Sequence, residues 1–287
     1  MVEYYHFIVV RHLIGLFMGF WENFDKDKKL IVAHRGARSI RPENTMSAFK
    51  EAMKNSDFIE LDVAFTKDGI PVIIHDNTLE RTSNVKEFKE FKKPYRVRDY
   101  TYKQLLKLDF GSWFLRDDPF KTIENGTVKI EELKALKTQR ILTLDQVLKV
   151  LRKHNFPVNI EIKDLSRTAY DKTAVKTIID LIEKHVMANL TLLSSFNHKY
   201  LRQAFKINPH IDTAALEEKN HSKDLVKRLK RLKVRSYNPA LQIADSDLIK
   251  NLSNAGIFVN IFTVNDKKER VKLFEEGAKA VFTDVLS

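Results

Sequence analysis

From Leu30 onward the chain alternates short, almost wholly apolar runs with longer stretches whose apolar residues recur at helical spacing. No other feature constrains the fold as much. The short runs lie at residues 30–34, 58–63, 72–75, 158–162, 190–195, 211–216, 234–237, 257–262 and 280–282. Several are too continuously apolar for a sheet with one wet face, and parallel strands covered on both sides read this way. Residues 45–54, 143–153, 170–186, 198–207, 223–232, 245–255 and 267–275 carry the helical period. Start and stop signals frame some of them: Asp245 precedes one and Gly256 follows it, and Asn265-Asp266 and Gly277 bracket the last. A repeating strand–helix unit predicts an α/β fold on a parallel sheet. The 287 residues suit two domains or one α/β barrel, which typically needs roughly 250.

Nine strand-like runs stand where a barrel needs eight. Phe65-Thr66-Lys67-Asp68-Gly69-Ile70-Pro71 contains an Asp-Gly turn and leaves too little chain for a helical crossover. The second and third runs are therefore expected to form a hairpin at one end of the barrel. Residues 84–140, rich in Lys and Phe, break the alternation and read as an insertion over one face. A helix is expected there at 102–108, followed by the aromatic patch Phe110-Gly111-Ser112-Trp113-Phe114.

Composition removes several classes of function. Apolar residues at 43% and aromatics at 10% provide for a core and exclude wholesale disorder. With no cysteine there are no disulfides, thiolate metal sites or thiol nucleophiles. Fifty basic against 38 acidic residues give a formal charge of +12, which suits anionic partners or a lysine-rich solvated surface. The densest basic run, residues 223–235, carries Leu225, Val226, Leu229 and Leu232 at helical spacing and reads as an amphipathic surface helix. No nucleic-acid-binding signature accompanies it, so no nucleic-acid partner is expected.

Residues 7–21 are mostly apolar, interrupted by Arg11 and His12. The stretch falls short of the roughly 20 residues of a membrane span, and it lacks the flanks of a signal peptide. Three readings stay open: an interfacial membrane anchor, an accessory segment covering one end of the domain, and a poorly ordered extension. The expected division is an extension over 1–29 and a barrel domain over 30–287, in a cytoplasmic protein whose peripheral membrane contact would come through that extension.

The polar residues at the strand ends carry the chemistry, because an α/β barrel places its catalytic groups there. His34-Arg35-Gly36 ends the first strand, Glu60-Leu61-Asp62 the second, His75-Asp76 the hairpin return and Glu161-Ile162-Lys163 the strand after the insertion. The i,i+2 spacing puts Glu60 and Asp62 on one face. With Glu161 they make an oxygen-donor set for a hard divalent cation, Mg²⁺ or Ca²⁺. His34 and His75 suit acid–base work near neutral pH. Arg35 and Lys163 suit an anionic substrate.

In order along the chain, His34-Arg35-Gly36, Pro42-Glu43-Asn44-Thr45, Glu60-Leu61-Asp62-Val63, Thr66-Lys67-Asp68-Gly69, His75-Asp76 and Arg81-Thr82 resemble the opening motifs of the glycerophosphodiester phosphodiesterases. The resemblance continues through Asp109-Phe110-Gly111-Ser112-Trp113-Phe114, Thr143-Leu144, Glu161-Ile162-Lys163, Ser195-Phe196, Phe262-Thr263-Val264-Asn265 and Thr283-Asp284. It implies a (β/α)8 TIM barrel with a small insertion after the second histidine and a divalent metal at its C-terminal mouth. Carried over by motif, Glu60, Asp62 and Glu161 would bind the metal, and His34 and His75 would be the acid–base pair. Arg35, Glu43 and Lys163 would hold or neutralise the phosphate or complete the site. The implied reaction is metal-dependent hydrolysis of a small-molecule glycerophosphodiester to glycerol 3-phosphate and an alcohol.

The chain departs from the family pattern in four places. Phe262 stands where tryptophan is usual, which changes the apolar wall against the alcohol portion. Leu142 replaces a proline before Thr143, no proline follows Thr283-Asp284, and residues 115–140 are longer than usual. The apolar N-terminus and the positive charge keep a lysophospholipase D-like lipid phosphodiesterase as the alternative. An amidohydrolase would want His-x-His on the first strand, where this chain has His34-Arg35. A non-catalytic phosphate- or lipid-binding barrel fits poorly with every chemical position filled.

Overall fold

The structure, a computed structural model, describes residues 19–136 and 138–286. Among these residues nine strands form: β1 (Leu30–Ala33), β2 (Phe58–Phe65), β3 (Pro71–Ile73), β4 (Val158–Ile162), β5 (Thr191–Ser195), β6 (Asp212–Glu217), β7 (Ser236–Pro239), β8 (Phe258–Ile261) and β9 (Ala280–Thr283). Eight of them pair in parallel in the ring order β1-β9-β8-β7-β6-β5-β4-β2, and β1 pairs with β2 to close it. The surplus run is β3, which returns antiparallel on β2 with Val63 opposite Ile73. Its turn rests on Gly69, at φ +78°, where a Cβ would also press the Tyr170 ring.

The strand period sets which way each side chain faces, and both faces are covered. Every residue of β2 is buried. Ile59, Leu61, Val63 and Phe65 pack outward with Phe49 and Ala52 of α1 (Met46–Asn55) and the apolar face of α5 (Leu144–His154). Glu60 and Asp62, on the alternate face, are left to the barrel interior. The helices begin where side chains satisfy their free N–H groups: Thr45 accepts from Ala48 N–H, and Thr143 and Gln146 form a capping box. Asp245 and Asp266 cap the helices Ser246–Asn254 and Lys267–Glu276 in the same way.

Among the described residues of 84–140 there are three short α-helices, α2 (Tyr102–Leu105), α3 (Ser112–Asp117) and α4 (Ile130–Ala135). α2 is shorter than its spacing predicts. Leu105 and Leu108 are both buried, but a single turn with Leu108 N–H donating to Leu105 O (3.1 Å) meets that spacing. Val85, Phe91, Val97, Leu105 and Phe110 pack on Ala64, Val72 and Ile74 beside the hairpin. Trp113, Phe114, Val128 and Leu133 form a separate core that reaches Ile40.

Residues 7–18 of the apolar N-terminal stretch, and with them any membrane contact, lie outside the described residues. Its end does not stand apart from the barrel. Phe20 and Trp21 pack among Leu30, Val32, Phe58, Leu192, Ala280 and Phe282, so the core begins upstream of Leu30. Buried Lys279 fastens the following loop by donating to the carbonyls of Asp25, Lys26 and Lys28 (2.9, 2.8 and 2.7 Å). Among the described residues no helix is long and apolar enough to cross a membrane.

Candidate active site

Parallel pairing of β2 with β4 sets Asp62 opposite Glu161. Carboxylate oxygens of Glu60, Asp62 and Glu161 then lie within 4.8 Å of one another. Burial, with repulsion from Asp62 and Glu161, raises Glu60 well above the ordinary carboxylate range. Burial and Asp62 raise Glu161. Burial also works against ionised Asp62, but Lys163, Arg35, His75 and Asn44 outweigh it and hold its pKa below the ordinary range. Asp62 accepts from Asn44 Nδ2 (2.9 Å) and Lys163 Nζ (3.3 Å), and Lys163 also donates to Glu161 (2.7 Å). Glu60 Oε2 accepts from the Arg35 N–H (2.8 Å), while its Oε1 is buried without a partner. A buried carboxylate oxygen without a partner is costly. Converging with two more carboxylates, it is the donor set that a hard divalent cation would complete, so these residues fit such an ion.

The turn leaving β1 brings the first histidine and its arginine to this cluster. Arg35 sits at φ +57° and Gly36 at φ +81°. A Cβ on Gly36 would lie 2.9 Å from the backbone of Ala48, so the close approach of α1 requires glycine. His34 Nδ1 donates to Asp284 Oδ1 (2.8 Å), and His75 Nδ1 donates to Asp76 Oδ1 (2.7 Å). Both aspartates are held well below the ordinary range despite burial, Asp284 by His34, Arg38 and Asn265, and Asp76 by His75 and Arg81. Ionised, they can only accept, so each imidazole keeps its proton on Nδ1 and leaves Nε2 for chemistry. Burial and the charges of Arg35 and Arg38 lower the pKa of His34 despite Asp284.

Glu43 lies behind Arg35 rather than in the cleft. Its carboxylate accepts from Arg81 (2.6 and 3.0 Å), Arg38 (2.8 Å) and Arg35 (3.2 Å). Burial opposes its charge, but hydrogen bonds from Arg81 and the charges of Arg35, Arg38 and Arg81 lower its pKa from 4.5 to about 2. A carboxylate depressed on folding stabilises the native state above its unfolded pKa, and that contribution is lost as pH falls through the folded one. Glu43→Gln is therefore expected to be less stable than the parent at neutral pH, with the gap narrowing as pH falls from about 4.5 to about 2. Denaturant melts across that window check this, and a gap independent of pH would contradict it.

His34, Arg35, Glu60, His75, Glu161 and Lys163 line one cleft of about 420 Å³, and Asp62 is buried beneath them. Phe262, Phe196 and Phe282 form its apolar side, with Phe262 edge-on to both neighbours at 6.0 and 6.5 Å. Phe196, Asp76, Arg81 and Asp284 each stand inside a motif noted from sequence, yet nothing local shows that they serve the site. Arg38 carries no such signal; only the fold brings it to Asp284.

The sequence matches the model of the glycerophosphoryl diester phosphodiesterase family over residues 34–287. A glycerophosphodiester phosphodiesterase of Caldanaerobacter subterraneus subsp. tengcongensis is 32% identical over 258 residues, covering 90% of this chain and 94% of that protein. Another, from Bacillus altitudinis, is 32% identical over 259 residues, covering 88% and 94%. Among solved structures, an Oleispira antarctica phosphodiesterase in complex with the product sn-glycerol-3-phosphate matches with a TM-score of 0.74 at 25% identity, over 89% of this chain and 92% of that one. A Silicibacter pomeroyi structure shares the fold with a TM-score of 0.77 at 20% identity, over 95% and 93%.

Proposed function

This chain belongs to the glycerophosphoryl diester phosphodiesterase family and hydrolyses glycerophosphodiesters to glycerol 3-phosphate and an alcohol; we propose that it does so with His34 and His75 as the acid–base pair over a cation site of Glu60, Asp62 and Glu161. One observation carries this reading: the three converging carboxylates and both aspartate-held histidines line or underlie a single cleft at the barrel mouth. In this reading the barrel domain carries residues 84–140 as an insertion.

A phosphodiester is slow to react because its negative charge repels nucleophiles. A divalent cation, Mg²⁺ or Ca²⁺, would offset that charge and polarise the phosphoryl oxygens. Arg35 and Lys163, cations fixed by the same carboxylates, hold the phosphate and stabilise the charge gained in the transition state. One imidazole Nε2 takes the proton from the nucleophile, the neighbouring glycerol hydroxyl or a water. The other Nε2 donates a proton to the departing alcohol oxygen. With a hydroxyl nucleophile a cyclic phosphate forms first, and the imidazoles exchange roles as water opens it. Phe262 and Phe196 flank the alcohol.

The cleft volume suits a small water-soluble diester. Turnover of glycerophosphocholine is therefore expected to exceed that of lysophosphatidylcholine, read as glycerol 3-phosphate and lysophosphatidic acid released in parallel assays. The exposed ring of Phe196 (41% exposed) is the observation that favours the lipid-directed alternative. Faster release of lysophosphatidic acid would establish that alternative in place of the small diester.

A further inference from the structure

The Asp109-Phe110-Gly111-Ser112-Trp113-Phe114 segment of the insertion has no part in the chemistry above, and its place in the structure suggests one. Arg38 and Arg81 both bind Glu43, and each also grips the aspartate of one histidine. Arg81 Nε donates to Asp76 Oδ2 (2.6 Å), and Arg38 Nη1 donates to Asp284 Oδ1 (3.2 Å). A continuous chain of charged contacts thus runs from His75 through Asp76, Arg81, Glu43, Arg38 and Asp284 to His34.

Carboxylates engage these guanidinium groups along their edges, which leaves the flat faces to be held. Both faces meet aromatic rings of the insertion. Arg81 Cζ lies 5.8 Å from the Trp113 ring centroid, and Arg38 Cζ lies 5.3 Å from that of Phe120. The Trp113 ring is itself fixed. Its Nε1 donates to Phe110 O (3.1 Å), and Asp109 accepts from the N–H groups of Gly111 (2.9 Å), Ser112 (3.2 Å) and Gln139 (3.0 Å). A Cβ on Gly111 would lie 2.7 Å from the Gln139 side chain, which would have to shift to admit it. Phe120 packs against the core of Trp113, Phe114, Val128 and Leu133.

We propose that the insertion positions both histidines by pressing Trp113 on Arg81 and Phe120 on Arg38, with Glu43 as the shared anchor of the two arms. Trp113, Phe120, Arg38, Arg81 and Glu43 are then positioning residues: they fix the planes of the guanidinium groups, hence the two aspartates, hence the direction of each Nε2. The inference rests on the reading of His34 and His75 as the acid–base pair.

The test compares Trp113→Leu and Phe120→Leu with the conservative Trp113→Phe and Phe120→Tyr. It reads kcat and KM on glycerophosphocholine, the cation concentration for half-maximal rate, and the ring-nitrogen NMR signals of the two histidines. Small misplacements of reacting groups cost up to about 100-fold, so each Leu variant is expected to lose about 10-fold or more in kcat, with KM and cation demand little changed. Trp113→Leu should move the signals of His75 and not those of His34; Phe120→Leu should do the converse, and Glu43→Gln should move both. The aromatic replacements should recover most of kcat. Arg81→Lys, a change at a side chain 39% exposed, should repeat the His75-only signature even if Trp113→Leu does not fold. Folded variants whose histidine signals stay in place, or whose kcat does not fall, would overturn the proposal. The NMR arm needs no turnover, so it separates failure of this inference from failure of the catalytic assignment.

Discussion

Replacing His34 or His75 by alanine is expected to lower kcat by roughly 10²–10⁴-fold, the range contributed by a general acid or base, while the protein stays folded. The cleft edge is wet, with the two side chains 15% and 31% exposed, so truncation leaves open space rather than a sealed core void. Each imidazole is tied to the fold mainly through one aspartate, which keeps Arg38 or Arg81 as a partner when the ring is gone. Losses of the two variants are not expected to add, because proton removal and proton delivery belong to the same displacement. Added imidazole should restore part of the rate, since the deleted group is a diffusible base. Near-parental turnover in either alanine variant would remove that histidine from the mechanism.

Asp62→Asn and Glu60→Gln are expected to raise the cation concentration needed for half-maximal rate by at least about tenfold, the lower end of what disturbed metal sites lose. The two should part company in stability when no cation is present. Asp62 neutralises Lys163 and Arg35 and accepts from Asn44, so its replacement leaves buried cations less balanced and lowers stability. Glu60 is ionised only against burial and two neighbouring carboxylates, so Gln relieves repulsion there and leaves stability equal or higher. Melting both variants with and without Mg²⁺ or Ca²⁺ reads both effects, since a bound cation stabilises the native state by an amount that grows with the logarithm of its concentration over its dissociation constant. Cation demand unchanged in both variants would refute the site.

Some of the site is legible in the sequence because strands have a period of two. Glu60-Leu61-Asp62 and Glu161-Ile162-Lys163 must each present two polar groups on one face, and the barrel needs only to set the two strands side by side. The hairpin is readable for a similar local reason, since an Asp-Gly turn leaves too little chain for a crossover. What local pattern cannot supply is the partner of each histidine across the fold. Asp284 lies 250 residues from His34, and Arg81 lies 38 residues from Glu43. Those pairs exist only once β1 and β9 are neighbours and the chain after β3 has folded back toward the turn that leaves β1. The start of the core is missed for a related reason. Phe20 and Trp21 end an apolar stretch that reads as an appendage, and only closure of the barrel gives them Leu30 and Phe58 to pack on.

The fate of phosphorus in glycerophosphocholine, followed by ³¹P NMR with the protein and a divalent cation and again in excess chelator, bears most directly on the cation-dependent reaction. Glycerol 3-phosphate is expected as the phosphorus product with cation present, and no turnover in chelator. Choline phosphate as the product, or an undiminished rate in chelator, would contradict that reaction.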